Sequence, residues 1–170
     1  MYQLLANYNR QMNEKIYRAA LNLPESEVCM DRGAFFGSIF DTLNHIYVGD
    51  LVWLKRFSQG NLGLKSLLPM ADLPQPIGLS ARMADSLAEL SEHRGKLDQI
   101  IIEFVNELRP EMLTRKLVYQ NTKGVEFEKD FAALVLHMFN HQTHHRGQVT
   151  TLLNQIGIDV GVTDLLECIP

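Results

Sequence analysis

Residues 134–153 read LVLHMFNHQTHHRGQVTTLL, a stretch holding His137, His141, His144 and His145, four of the chain's six histidines. The spacing His141-x-x-x-His145 stacks two imidazoles one turn apart on a single helix face, as helical zinc sites do. Only neutral imidazole can give a lone pair to a divalent ion, and apolar surroundings favour the neutral form. A lone buried histidine is more often a hydrogen-bonded core residue, so the pair carries this reading. His137 and His145 are eight residues apart, roughly 12 Å along a helix, too far for bonds of about 2 Å to one ion. A third ligand must come from another element. The remaining histidines are His45 and His93. His45 lies midway along the most apolar segment, and its face carries Ser38, Asp41, Thr42, Val48, Gly49 and Val52, small neighbours that leave room for an ion and a ligand. His93 stands beside Arg94 at the edge of an apolar stripe and is expected in solvent. We therefore expect one divalent metal ion, bound by His45, His141 and His145, with His137 and His144 at the edge of the site or behind it.

Four helices are needed to hold these residues. The first carries Leu5, Tyr8, Met12, Ile16, Ala19 and Leu23 at steps of three or four and stops before Pro24. The second, Phe35 to Phe57, is apolar on nearly every side and belongs in the middle of a bundle. Residues 59–79 contain three prolines and three glycines and form an extended connection. Ser80 is placed to cap a third helix through Met83, Leu87, Leu90, Arg94, Leu97, Ile101, Phe104 and Leu108, closed by Pro110. Thr114–Tyr119 and Val125–Glu128 flank Asn121-Thr122-Lys123-Gly124, which predicts a small hairpin. The fourth helix runs from Asp130 to Ile156, with Gly157 as a left-handed cap. Its inward stripe is expected to be Phe131, Leu134, Met138, His141, His145, Gln148, Val149, Leu152 and Ile156, which centres the histidine pair on the buried face. The fold class is all-α, a four-helix bundle in a single domain over residues 1–170, with a long crossover that lets helices two and three run parallel.

Sixteen Lys+Arg against twenty Asp+Glu give a formal charge of -4, and the basic residues are scattered, so nucleic acid is not an expected partner. Cys29 and Cys168 form neither a disulfide framework nor a Cys-x-x-Cys site. The N-terminus lacks the pattern of a signal peptide and no apolar run is long enough to span a bilayer. A reduced, cytoplasmic protein is expected, without membrane partners.

The runs HMFNHQTHHRGQVTTLL and GSIFDTLNHIYVGDLVWLKRF, with NYNRQMNEKIY near the start and GVTDLL near the end, closely resemble the DinB family of DNA-damage-inducible proteins, grouped with YfiT-like metal-dependent hydrolases. That resemblance spans almost the whole chain. It implies helices in up-down-down-up order, a nickel or zinc ion on three histidines, and a homodimer. Its first ligand falls on His45 and its helical pair on His141 and His145. Similar thiol-dependent isomerases have glutamate where this chain has His141. Arg146, Gly147 and Gln148 also match the family motif. Gln148 is expected to orient a ligand or water. Arg146 projects roughly 140° from His141 and is expected in a salt bridge, and Gly147 in close helix packing. Asp41, on the His45 face, is the candidate general base or a hydrogen-bond partner of a histidine or of Arg94, and Arg94 either anchors an anionic ligand or reaches the rim.

Two functions of different class follow. The first is an enzyme, a metal-dependent hydrolase or a transferase using a small thiol at an open coordination position. The second is a non-catalytic stress-response protein in which the ion stabilises the bundle.

Overall fold

The computed structural model describes residues 1–169. Four long helices supply most of the core: α1 (Tyr2–Leu21), α3 (Ile39–Gln59), α4 (Leu87–Glu107) and α6 (Phe131–Gln155). One-turn helices α2 (Glu25–Val28) and α5 (Pro110–Leu113) join them, and the hairpin strands are β1 (Lys116–Gln120) and β2 (Glu126–Asp130). Helix α1 packs on α4 and α6, and α3 packs on α6 and on the crossover. Phe57, Phe104 and Phe131 meet in the core, with ring centres 5.2 to 6.4 Å apart.

Two helices begin later than their apolar patterns predict. Helix α3 starts at Ile39, not Phe35, because Ser38 accepts from the Asp41 amide at 3.0 Å and so closes the first turn. Phe35 and Phe36 therefore stand in the preceding loop. Helix α4 starts at Leu87, since Ser86 and not Ser80 accepts from the Glu89 amide at 3.2 Å. Ser38 and Ser86 each sit three residues before an acidic residue, and each is the cap, whereas Ser80 is followed at that spacing by Met83. The hairpin forms as expected, slightly displaced, with Lys116 opposite Asp130 and Gln120 opposite Glu126. Gly157, at φ 79°, turns the chain out of α6 while Ile158 donates back to the Leu153 carbonyl at 3.0 Å.

The crossover, residues 60–86, is pinned at several points. A 3-10 turn over Lys65–Ala71 buries Leu67 and Met70, and Glu107 accepts from the amides of Lys65 and Ser66, both at 2.8 Å. Lys55 donates to the carbonyls of Met70 and Leu73 at 2.6 and 2.7 Å. Asn44 donates to the Ala81 carbonyl at 2.8 Å and accepts from the Met83 amide at 2.9 Å. These bonds hold residues 79–83 beside the middle of α3. Among the described residues, no helix is long and apolar enough to cross a membrane.

Candidate metal centre

His45 comes from the middle of α3, and His141 and His145 from successive turns of α6. One ring nitrogen from each lies within 4.8 Å of the others. His45 Nε2 and His141 Nε2 are 3.1 Å apart. Tetrahedral bonds of about 2.0 Å would set ligand nitrogens roughly 3.3 Å from one another, so the group fits a divalent ion after a small adjustment.

The far nitrogens aim the near ones. His45 Nδ1 donates to the Leu79 carbonyl at 3.0 Å, which leaves the Nε2 lone pair directed inward. His145 Nδ1 donates to Gln148 Oε1 at 2.7 Å with the same result. Gln148 thus orients a histidine, not a ligand or a water. Leu79 reaches His45 because Asn44, the residue before it, clamps the crossover. His141 Nδ1 is buried with no partner among the described residues. Its ring lies against Gly49, where an added Cβ would stand 2.7 Å from Cε1, so glycine is required for the ring to sit there.

The surroundings keep all three rings neutral. Burial lowers the pKa of His45 from 6.5, with the Leu79 bond opposing. Burial, then the neighbouring His145, His45, His137 and His144, lowers that of His141 to about 3. His145 is lowered by burial, against the Gln148 bond. Each direction leaves lone pairs free at neutral pH. Phe36 stacks on His45 with ring centres 3.9 Å apart and meets His145 edge-on at 5.4 Å, covering one side of the group. The other side opens into a cavity of about 420 Å³ between α3, α6 and the hairpin, lined by Gly49, Trp53, Arg56, Tyr119 and His137 among others.

Several sequence expectations need correction. His141 is half-buried and not central, because the true centre line of α6 passes through Val135, Gln142, Arg146 and Val149. Two polar residues occupy that line, where Arg146 binds Gln142 on its own helix and Asn9 of α1. Arg146 makes no carboxylate pair there; it donates to Asn9, Gln142 and Thr143. Arg94 neither anchors an exposed ligand nor reaches the rim. It is 2 % exposed, between Asp50 and Asp98. Asp41 is exposed and bonded to Ser38, 2.6 Å away, not to a histidine or Arg94. Gly147 permits no close packing, since nothing lies within 4 Å of where its Cβ would be. His93 is half-buried, 4.0 Å from Glu89. His144 is exposed beside His145, and His137 packs on Trp53 at 5.2 Å. Phe36 and Gly49 were legible only as apolar filler and a small neighbour; their contacts depend on the loop and on α6.

The molecule is thus a mainly helical protein whose interior edge carries three converging histidines able to hold a metal ion. A DinB family model matches residues 1–169, and the chain belongs to that family. It is also similar to Protein DinB of Bacillus subtilis (strain 168), 28% identical over 160 residues that cover 94% of this chain and 88% of the relative.

Proposed function

We propose that His45, His141 and His145 bind one divalent ion per chain, zinc or nickel, and that this ion serves a hydrolase or a thiol-dependent transferase. The convergence of three neutral nitrogens, two of them oriented by second hydrogen bonds, carries the reading. Three neutral ligands leave such an ion its full charge and an open position, and it would supply Lewis acidity there for water or a small thiol. The protein's own groups hold the rest of the arrangement. Leu79 and Gln148 fix the ring orientations, Phe36 keeps water from one flank, and Gly49 leaves space for His141. On the cavity wall, His137 and Tyr119 are the groups able to exchange a proton with a bound molecule.

Elemental analysis of wild type and the three single alanine variants tests the triad. Wild type should retain about one ion per chain and each variant should lose it. Full metal content in His45→Ala would overturn the assignment.

One observation favours a non-catalytic, metal-stabilised stress-response protein instead: among the described residues, no carboxylate lines the cavity beside the histidines. A screen of zinc- and nickel-loaded protein against small thiols and model esters and amides separates the two. The family also supports an up-down-down-up helix order, which the 60–86 crossover allows, and a homodimer; the cytoplasmic location rests on the sequence pattern alone. Exposed Leu21, Leu68 and Ile77 supply apolar surface for the last. Sedimentation equilibrium showing only monomer at micromolar concentration would exclude it.

A further inference from the structure

Along α3, His45, Gly49, Trp53 and Arg56 share one stripe, because eleven residues bring a helix within about 20° of three full turns and advance it about 16 Å. The histidine group therefore lies at one end of the cavity and Arg56 at the other. The Arg56 guanidinium carbon is 4.7 Å from the centre of the Trp53 ring and 5.0 Å from that of Tyr119. Two aromatic faces thus hold it in place. Among the described residues it has no salt-bridge partner. The other sheltered arginines are bonded: Arg94 to Asp50 and Asp98, Arg146 to Asn9, Gln142 and Thr143, Arg32 to Glu27, and Arg82 to the carbonyls of Ala84 and Asp85. Burial lowers the Arg56 pKa, with Tyr119 opposing, as suits a cation that lacks a counterion. An adjoining hollow shares Arg56 and has Glu126 in its wall, yet the two form no ion pair.

We propose that this cavity binds a small organic carboxylate, with its anionic end on Arg56, its apolar body along Trp53 and Val52, and its opposite end at the histidine group. A guanidinium fork matches a carboxylate with two parallel hydrogen bonds, and its stacking between rings removes much of the ordering cost of binding. The cavity volume, about 420 Å³, is in the range of small-molecule sites. Only the placement of the opposite end rests on the metal reading above.

Trp53 is the sole tryptophan, so its fluorescence reports on the cavity directly. Benzoate and its neutral isostere benzamide are titrated into metal-free and zinc-loaded protein. Benzoate should bind about tenfold tighter than benzamide, the size of one charge-assisted pair. Arg56→Gln should erase that preference and Arg56→Lys should keep part of it. Equal binding of the two probes, no benzoate binding in any form, or full benzoate affinity in Arg56→Gln would overturn the proposal. Benzohydroxamate and 4-carboxybenzohydroxamate, which share a metal-seeking head, then separate the two readings. Zinc-dependent binding of both without preference for the carboxylate sinks the anion site and leaves the metal reading standing. An Arg56-dependent benzoate signal with no zinc-dependent hydroxamate binding retains the anion site and removes the open metal position.

Discussion

Asp50 and His45 lie five residues apart on α3, and the polar clusters they enter are built in opposite ways. Asp50 faces the protein interior, where Arg94 bridges it to Asp98, with Arg94 Nη2 2.9 Å from Asp98 Oδ1. Asn13 donates to both Asp98 oxygens at 3.0 and 3.1 Å, and Arg146 binds Asn9 and Gln142 close by. Two arginines balance two aspartates there. Burial pushes the Asp50 carboxyl up, with Arg94 opposing, and Asp98 and Asp50 overcome the effect of burial to hold Arg94 above its ordinary value. The charges in this region answer one another. In the histidine region, second nitrogens are occupied at His45 and His145, and the nitrogens that face inward have mainly one another. Like groups converging on one point, with only mutual partners, are suited to a ligand from outside; balanced opposite charges are suited to joining helices.

Breaking the inner cluster should have the largest effect. Arg94→Ala leaves Asp50 and Asp98 buried without their cation, and should destabilise the fold by about 3–5 kcal/mol in urea denaturation. A loss below about 1 kcal/mol would show that the cluster is not a structural joint. The converse substitution tests the outer cluster. Gly49→Ala places a methyl group against the His141 ring, so metal affinity should fall about 10- to 100-fold, as when a ligand's supporting contacts are removed. Stability of the metal-free protein should change by less than about 1 kcal/mol, because alanine also favours the helix. Unchanged zinc affinity would mean that His141 need not occupy its present position.

A smaller effect concerns pH. The three histidines have pKa values lowered on folding, so the unfolded chain takes up protons below about pH 6.5 that the folded chain refuses. Their neutral burial therefore costs nothing above that pH, and stability declines as pH falls through it. Between pH 7.5 and 5, metal-free wild type should lose about 1 kcal/mol more than His141→Gln, after allowance for solvent at this half-buried ring. Equal losses would place His141 in a more solvated setting than the structure does.

The same contrast explains what the sequence made legible. The helical spacing of His141 and His145, the isolation of His45 in an apolar helix and the small neighbours of His45 were enough to nominate the three residues that converge. The long helices, the hairpin and the crossover were also readable from periodicity and turn residues. The inner cluster was not. Arg94, Asp98, Gln142 and Arg146 look like surface residues one at a time, and their burial depends on partners such as Asp50 of α3 and Asn9 and Asn13 of α1. An apolar stripe drawn without Gln142 and Arg146 turns toward the histidines, which is why His141 was expected at the centre and lies at the edge. That displacement has a chemical consequence, since an edge position opens onto a cavity and a central one would not. Helix starts failed for a more local reason: a serine followed three residues later by an acidic side chain outcompetes an earlier apolar or serine start.

Cobalt substitution tests the three-histidine site most directly, because the visible absorption of cobalt(II) reports coordination number and ligand type. Metal-free protein should take up one equivalent into a site with three nitrogen ligands and an open position, so azide or a small thiol should shift the spectrum. His45→Ala should abolish the tight site. A cobalt spectrum indifferent to azide and thiol, or one unchanged in His45→Ala, would contradict an open site built from His45, His141 and His145.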